Sequence, residues 1–188
     1  MRKLVLVRHS VPEIRRDVPA ADWRLSEAGL ARARTFAKRL DPGTARTVFT
    51  SEEPKAIETA QALAFEWGLE VTRAAGLHEH ERPQAQMLTR DAFEARVRDL
   101  FARPDDHVFG AESAAHARRR FTVAVMRAVT ASTDDVIVVS HGTVITLFAA
   151  EAGGVEPFAF WKKLEMPCAV ELSLPDLQVR GFARLAGS

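Results

Sequence analysis

A chain of 188 residues, 47% hydrophobic and 27% charged, is long enough to bury a sizeable core and short enough to form one domain. A formal charge of +1, from 26 basic against 25 acidic side chains, gives little long-range pull on a polyanion, and a single cysteine excludes an internal disulfide. The apolar stretches are interrupted well before the roughly 20 residues that cross a bilayer. Met1-Arg2-Lys3-Leu4 leads straight into a strand with no signal-type apolar region, so neither a membrane nor a secretory route is expected, and the cytoplasm is the expected compartment.

Residues 3 to 7 read as a strand buried on both faces. Residues 27 to 40 read as a helix, capped by Ser26, with Leu30, Ala33, Ala37 and Leu40 at helical spacing. Ala45 to Phe49 is a short strand, and Pro54 opens a helix whose stripe of Ile57, Ala60, Ala64 and Trp67 ends at Gly68. A short strand at Glu70 to Ala74 precedes an irregular stretch reaching about Leu88, where Pro83 argues against a continuous helix. Helices follow at about 89 to 102 and 112 to 131, separated by Arg103-Pro104-Asp105-Asp106 and Gly110. Val136 to Val139 is a second fully apolar strand, and the helix after His141-Gly142-Thr143 ends near Gly153-Gly154. Strands at about 168 to 174 and 178 to 185 flank Pro175-Asp176 as a closing hairpin.

Strands alternating with helices need a sheet covered on both faces. The expected fold is therefore α/β, a three-layer α/β/α sandwich with a largely parallel central sheet and a C-terminal antiparallel hairpin. One domain spans 1–188, with 75–111 as a partly irregular insertion over the sheet edge. Arg118-Arg119-Arg120 falls in a periodic helix and reads as a solvated face; without aromatic and basic interleaving it does not point to nucleic acid. Cys168, between Pro167 and an apolar strand, reads as a buried thiol. Trp23, Phe93, Phe160 and Trp161 read as core or sheet cover.

Each fully apolar strand ends on a histidine: Arg8-His9-Ser10 after the first and Ser140-His141-Gly142 after the later one. Strand carboxyl ends are where open α/β sheets bind ligands. A neutral imidazole can attack phosphorus, and an adjacent guanidinium can hold two phosphoryl oxygens; a structural pair at a strand end explains Arg8-His9 alone about as well. Gly142 and a helix beginning near Thr143 direct unpaired N–H groups toward an anion. Lys55 lies in a first helical turn, where the dipole disfavours a cation unless an anion joins it; a surface ion-pair cluster with Glu52, Glu53 and Glu58 is the ordinary alternative. Glu79 and Glu81, in Leu77-His78-Glu79-His80-Glu81-Arg82-Pro83, offer a shielded carboxyl group of raised pKa for proton transfer. Neither His78 nor His80 has the spacing of a zinc motif, so no metal site is read.

The ordered set resembles the histidine phosphatase superfamily, which includes the cofactor-dependent phosphoglycerate mutases. Arg8-His9-Ser10 is similar to its Arg-His-Gly signature and Ser140-His141-Gly142 to its second histidine motif. Leu25-Ser26-Glu27-Ala28-Gly29-Leu30 resembles the segment opening its first helix, and Thr50-Ser51 with Ala56-Ile57-Glu58-Thr59-Ala60 resembles its Ser-x-Leu-x-Arg-Ala-x-x-Thr-Ala segment. Leu77-His78-Glu79 resembles the stretch carrying its acid/base glutamate, and Gly110-Ala111-Glu112-Ser113 its Gly-Gly-Glu-Ser turn. The resemblance implies that His9 becomes a transient phosphohistidine, that Arg8 and His141, with Lys55 at the matching position of the second pocket arginine, hold the phosphoryl oxygens, and that Glu79 protonates the leaving alcohol and then activates water. Gly142 belongs to the same phosphate site, and Ser10 either donates to the phosphoryl group there or fills space. It also implies hydrolysis of a small phosphomonoester with no cofactor and no metal.

Three positions depart from the family pattern. Lys55 stands where the family has its second arginine, Ser10 replaces a glycine, and Glu53 stands where the family has leucine. A phosphatase is the expected function. A non-catalytic phosphate-ester or phosphopeptide binding domain and a phosphoryl-transfer mutase are the alternatives. No oligomeric interface is read from the sequence.

Overall fold

The computed structural model describes residues 2–82 and 88–185. Its centre is a parallel pair of strands, β1 (Lys3–Arg8) and β4 (Val136–Ser140). Leu4 and Leu6 face one side of the sheet and Val5 and Val7 the other, each against its own apolar cluster. That is why both strands are apolar without alternation. The strands pair in register from Leu4 against Val136 to Arg8 against Ser140, so the residues just beyond their ends, His9 and His141, emerge side by side.

β2 (Thr47–Thr50) runs parallel to β4, with β3 (Glu70–Arg73) parallel at the edge. On the other side β5 (Cys168–Ser173) is antiparallel to β1 and β6 (Val179–Arg184) is antiparallel to β5. The six-stranded order is β3-β2-β4-β1-β5-β6. Helices α1 (Glu27–Ala37) and α2 (Pro54–Trp67) cover one face around Phe36 and Leu63. Helices α4 (Ala114–Ala131) and α5 (Gly142–Gly153) cover the other around Phe121 and Phe148. The result is the expected three-layer α/β/α sandwich, with a mixed, mostly parallel sheet.

Several boundaries differ for local reasons. Helix α1 stops at Ala37 rather than 40, because Arg39 N–H turns to the carbonyl of Phe36 in a tighter turn. Thr89 and Ser113 cap α3 (Arg90–Ala102) and α4, accepting from Ala92 and His116 N–H. Two elements were not expected: a 3-10 turn at Ala20–Asp22 and α6 (Pro157–Lys163). The second is two turns long and too short for a hydrophobic period. Its signal is the pair Glu156-Pro157, in which the carboxylate caps Phe158 and Ala159 N–H and proline occupies the first turn. Of the expected irregular stretch before Leu88, residues 83–87 lie outside the described residues. No described helix is long and apolar enough to cross a membrane.

Candidate active site

The two strand-end histidines meet, their ring centroids 5.0 Å apart in an edge-on arrangement. His9 Nδ1 lies 2.7 Å from the carbonyl oxygen of Ser10. A carbonyl only accepts, so Nδ1 carries the proton and Nε2 is left with the lone pair. Burial, then the charges of His141, Lys55 and Arg8, hold the pKa of His9 well below its ordinary value. The ring is thus neutral at neutral pH. Ser10 holds this loop in place: its hydroxyl donates to Gly29 O at 2.7 Å and its N–H to Thr59 Oγ1 at 3.0 Å. The serine expected among the phosphate ligands therefore directs its hydroxyl proton into the fold.

Arg8 and His141 each keep one buried nitrogen without a partner among the described residues, Nε and Nδ1 respectively. Such atoms are rare in folded proteins and call for an occupant. Arg8 is otherwise anchored by a bond from Nη1 to the carbonyl of Leu164, at the end of α6. His141 Nε2 lies 2.9 Å from Ser51 Oγ and 3.4 Å from Glu53 Oε1. Ser51 reaches this point because its N–H continues the β2–β4 ladder onto Val139 O.

Lys55, 5% exposed, points its ammonium at Ala20 O, 2.7 Å away, and pairs with Glu53 Oε2. The alternative of a surface ion-pair cluster survives only as the Lys55–Glu53 pair, which is buried; Glu58 pairs with Arg24 instead. The other oxygen of Glu53 accepts Glu79 N–H at 2.7 Å. One buried carboxylate thus ties the lysine, the second histidine and the Glu79 segment together. Removing either member of the Glu53–Lys55 pair leaves an uncompensated buried charge, an expected loss of about 3–5 kcal/mol. Replacing both by apolar residues should cost much less. A double-mutant cycle on unfolding free energies checks this, and additive losses would refute the coupling.

Glu79 faces the site, whereas Glu81 is exposed and lies 3.3 Å from His78 Nε2. The Glu79 carboxylate accepts Thr143 N–H at 3.1 Å, Val144 N–H at 3.3 Å and His80 N–H at 2.9 Å. The anion at the start of α5 is therefore this side chain, not an outside ligand as the sequence suggested. Its pKa also runs opposite to expectation. Burial raises it, but Arg82, His141 and the backbone N–H groups outweigh burial and hold it far below the usual carboxylate range. Arg82 donates to Thr143 Oγ1 at 2.7 Å and to His80 Nδ1 at 3.1 Å, and His80 Nε2 in turn meets Glu112 O.

The segment is pinned from behind by Arg120, which donates to the carbonyls of Gly76, His78 and Glu79 and pairs with buried Glu112. The basic run on α4 is thus not wholly a solvated face, since the Arg120 side chain is only 14% exposed. Glu53, Arg82 and Arg120 were missed as site residues. The only sequence signals were the acid at the family's leucine position and the arginine before Pro83 in the Glu79 heptapeptide.

Gly142 contributes room. A Cβ there would stand 3.1 Å from both Cζ and Nε of Arg8. Gly142→Ala is expected to leave stability within about 1 kcal/mol, since alanine suits a helix. It should displace the guanidinium and lower kcat/KM about tenfold. Melting curves beside initial rates test this, and unchanged rates would contradict it. Cys168 is buried, which pushes its thiol up to about 12 and leaves no thiolate at neutral pH. Among the described residues no three His, Cys, Asp or Glu side chains are grouped to hold a metal ion.

Known structures share the fold. A mycobacterial hydrolase superimposes with a TM-score of 0.76 at 20% identity, covering 98% of this chain and 93% of its own. A mycobacterial glucosyl-3-phosphoglycerate phosphatase gives 0.71 at 22%, covering 95% and 96%. Entamoeba histolytica phosphoserine phosphatase, bound to 3-phosphoglyceric acid, gives 0.77 at 18%, covering 99% and 98%. No curated protein matches the sequence. Residues 4–178 match the histidine phosphatase superfamily, branch 1. The chain therefore belongs to that superfamily, and its general activity is phosphomonoester hydrolysis of the histidine-phosphatase type.

Proposed function

We propose that the protein hydrolyses a small phosphomonoester, without metal, through a phosphohistidine formed on His9. The observation that carries this reading is the placement of a neutral His9, with its Nε2 lone pair, beside two buried and unpartnered nitrogens on Arg8 and His141. Those nitrogens suit the oxygens of a phosphoryl group, while the charge of Lys55 is taken up by Glu53. His9 Nε2 attacks phosphorus as the P–O bond to the alcohol breaks. Glu79 gives its proton to the departing oxygen, then removes one from water, which attacks phosphorus and breaks the P–N bond. Inorganic phosphate leaves, and His9 is neutral again.

Glu79 is a carboxylate in the free protein, so it must gain a proton before the first step. The negative charge of the incoming ester supplies the reason, since it opposes Arg82 and His141 and raises the carboxyl pKa. Turnover of simple phosphomonoesters after exhaustive chelation, with competitive inhibition by inorganic phosphate, tests the proposal. Phosphate binding with no turnover of any ester would instead identify a binding domain.

A further inference from the structure

Four half-buried aromatic side chains from two separate stretches of chain border the site. Phe93 lies 5.7 Å from Phe109 and 6.1 Å from Trp161, and Trp161 stacks on Phe158 at 6.0 Å, all between ring centroids. They are not core. Phe121 and Phe148, which are, stand at 0% and 2% exposure, and of the large apolar residues singled out in the sequence only Phe160 is buried, at 4%. Phe93 and Trp161 are thus corrected from core or sheet cover to a partly open surface. Antiparallel β5 begins opposite Arg8, so α6, just before it, is delivered to the same edge as the histidines.

Two contacts tie this surface to the reacting groups. The indole nitrogen of Trp161 and the guanidinium carbon of Arg8 lie 3.4 and 3.1 Å from one point above Gly142. Arg82 lies over Phe109 at 4.8 Å and Phe93 at 5.5 Å while it donates to Thr143, whose N–H is held by Glu79. The aromatic side chains therefore adjoin Arg8 through Trp161, and through Arg82 and Thr143 they connect to the carboxylate that must reach the leaving oxygen.

We propose that Phe93, Phe109, Phe158 and Trp161 form the subsite for the leaving alcohol, and that this alcohol bears an aryl group. The inference rests on the reading of His9 and Glu79 above. The leaving oxygen lies within hydrogen-bond reach of Glu79, so the group attached to it extends onto the neighbouring ring faces. Flat rings packed edge-on and offset accept another ring well. Arg98, 4.1 Å over the Phe158 ring, extends the flat surface. Of the cations beside the shelf, Arg82 is engaged by Thr143 and His80, Lys162 by Glu94 at 2.7 Å, and Arg98 lies against the Phe158 ring face, an arrangement that favours an aryl over a carboxylate-bearing alcohol. The Trp161 N–H has no acceptor among the described residues and can meet a single hydroxyl or ether oxygen on the ligand.

The test compares 2-phenylethyl phosphate and benzyl phosphate with ethyl phosphate and O-phosphoserine, whose leaving groups are all primary alcohols. The aryl esters are expected to exceed ethyl phosphate in kcat/KM by at least about thirtyfold. Trp161→Ala and, independently, the milder Phe93→Leu should each cut that ratio by about fivefold or more. The ratio cancels any general loss from a shifted Arg8 or a weakened fold. A wild-type ratio near one, O-phosphoserine as the best ester, or a ratio unmoved in both variants overturns the subsite and leaves hydrolysis standing. Failure of the wild type to turn over any of the four overturns both.

Discussion

Alanine at position 9 is expected to lower kcat by on the order of 10³-fold or more and to abolish trapping of phosphate on the protein. Rapid quenching of wild type with a phosphorus-labelled ester should capture label that survives base and is lost in acid, as a phosphorus–nitrogen bond behaves. The neutral form of His9 is fixed by the carbonyl of Ser10 and reinforced by burial and neighbouring cations, so the variant loses the lone pair to which the attack is assigned. Both clamps, Arg8 and His141, remain in the variant, which should still bind inorganic phosphate. Retained phosphate binding distinguishes loss of the nucleophile from collapse of the pocket. Full turnover by His9→Ala, or activity lost to a chelator and restored by a divalent ion, would end the phosphohistidine mechanism.

The second large effect is at Glu79. Glu79→Gln should reduce kcat by about 10²–10⁴-fold, while Glu81→Gln, on an exposed carboxylate, stays within about threefold. The pH dependence has a definite sign. In the free protein the Glu79 pKa is depressed, so its limb in the kcat/KM profile falls below the usual carboxylate range; bound ester raises the pKa, so the limb in kcat lies higher. The same depressed pKa stabilises the fold above the unfolded-state value, a contribution lost as pH falls through the folded one. Glutamine offers one acceptor oxygen to the N–H groups of His80, Thr143 and Val144 and turns an NH2 toward the rest, so a stability loss of about 1–2 kcal/mol should accompany the kinetic one. Loss of a pH limb in Glu81→Gln alone would reassign the proton donor.

The parts of this molecule legible in sequence are those whose local pattern and tertiary role coincide. Leu4–Val7 and Val136–Val139 are apolar because both faces are covered, and their registered pairing carries His9 and His141 together. Ser26 reads as a cap and accepts Gly29 N–H as one. Glu53, Arg82 and Arg120 read as ordinary charges, since nothing in a linear sequence tells a solvated charge from one whose partner lies on another element. Glu53 meets a residue 26 positions on, and Arg120 holds carbonyls 41 to 44 positions back. The Glu79 pKa was misjudged for the same reason: burial can be guessed from an apolar flank, but the helix start and Arg82 that overrule it are tertiary. Phe93 and Trp161 carry no mark separating a core ring from one at a cleft, because both need the same apolar surface.

The Glu53–Lys55 pair also constrains how such a pocket can drift in sequence. To pass between this Glu-and-Lys arrangement and the Leu-and-Arg arrangement that the family pattern shows, two positions must change, and the order of changes is not neutral. Exchanging the lysine first sets a guanidinium against a waiting carboxylate, whose two oxygens capture it in a fork. That intermediate keeps every buried charge of the pair matched. Exchanging the glutamate first leaves a buried ammonium held by the carbonyl of Ala20, without its counter-ion. The passable route is therefore the one that changes the lysine first, so the order of drift at these two positions is set by the charge pairing inside the fold.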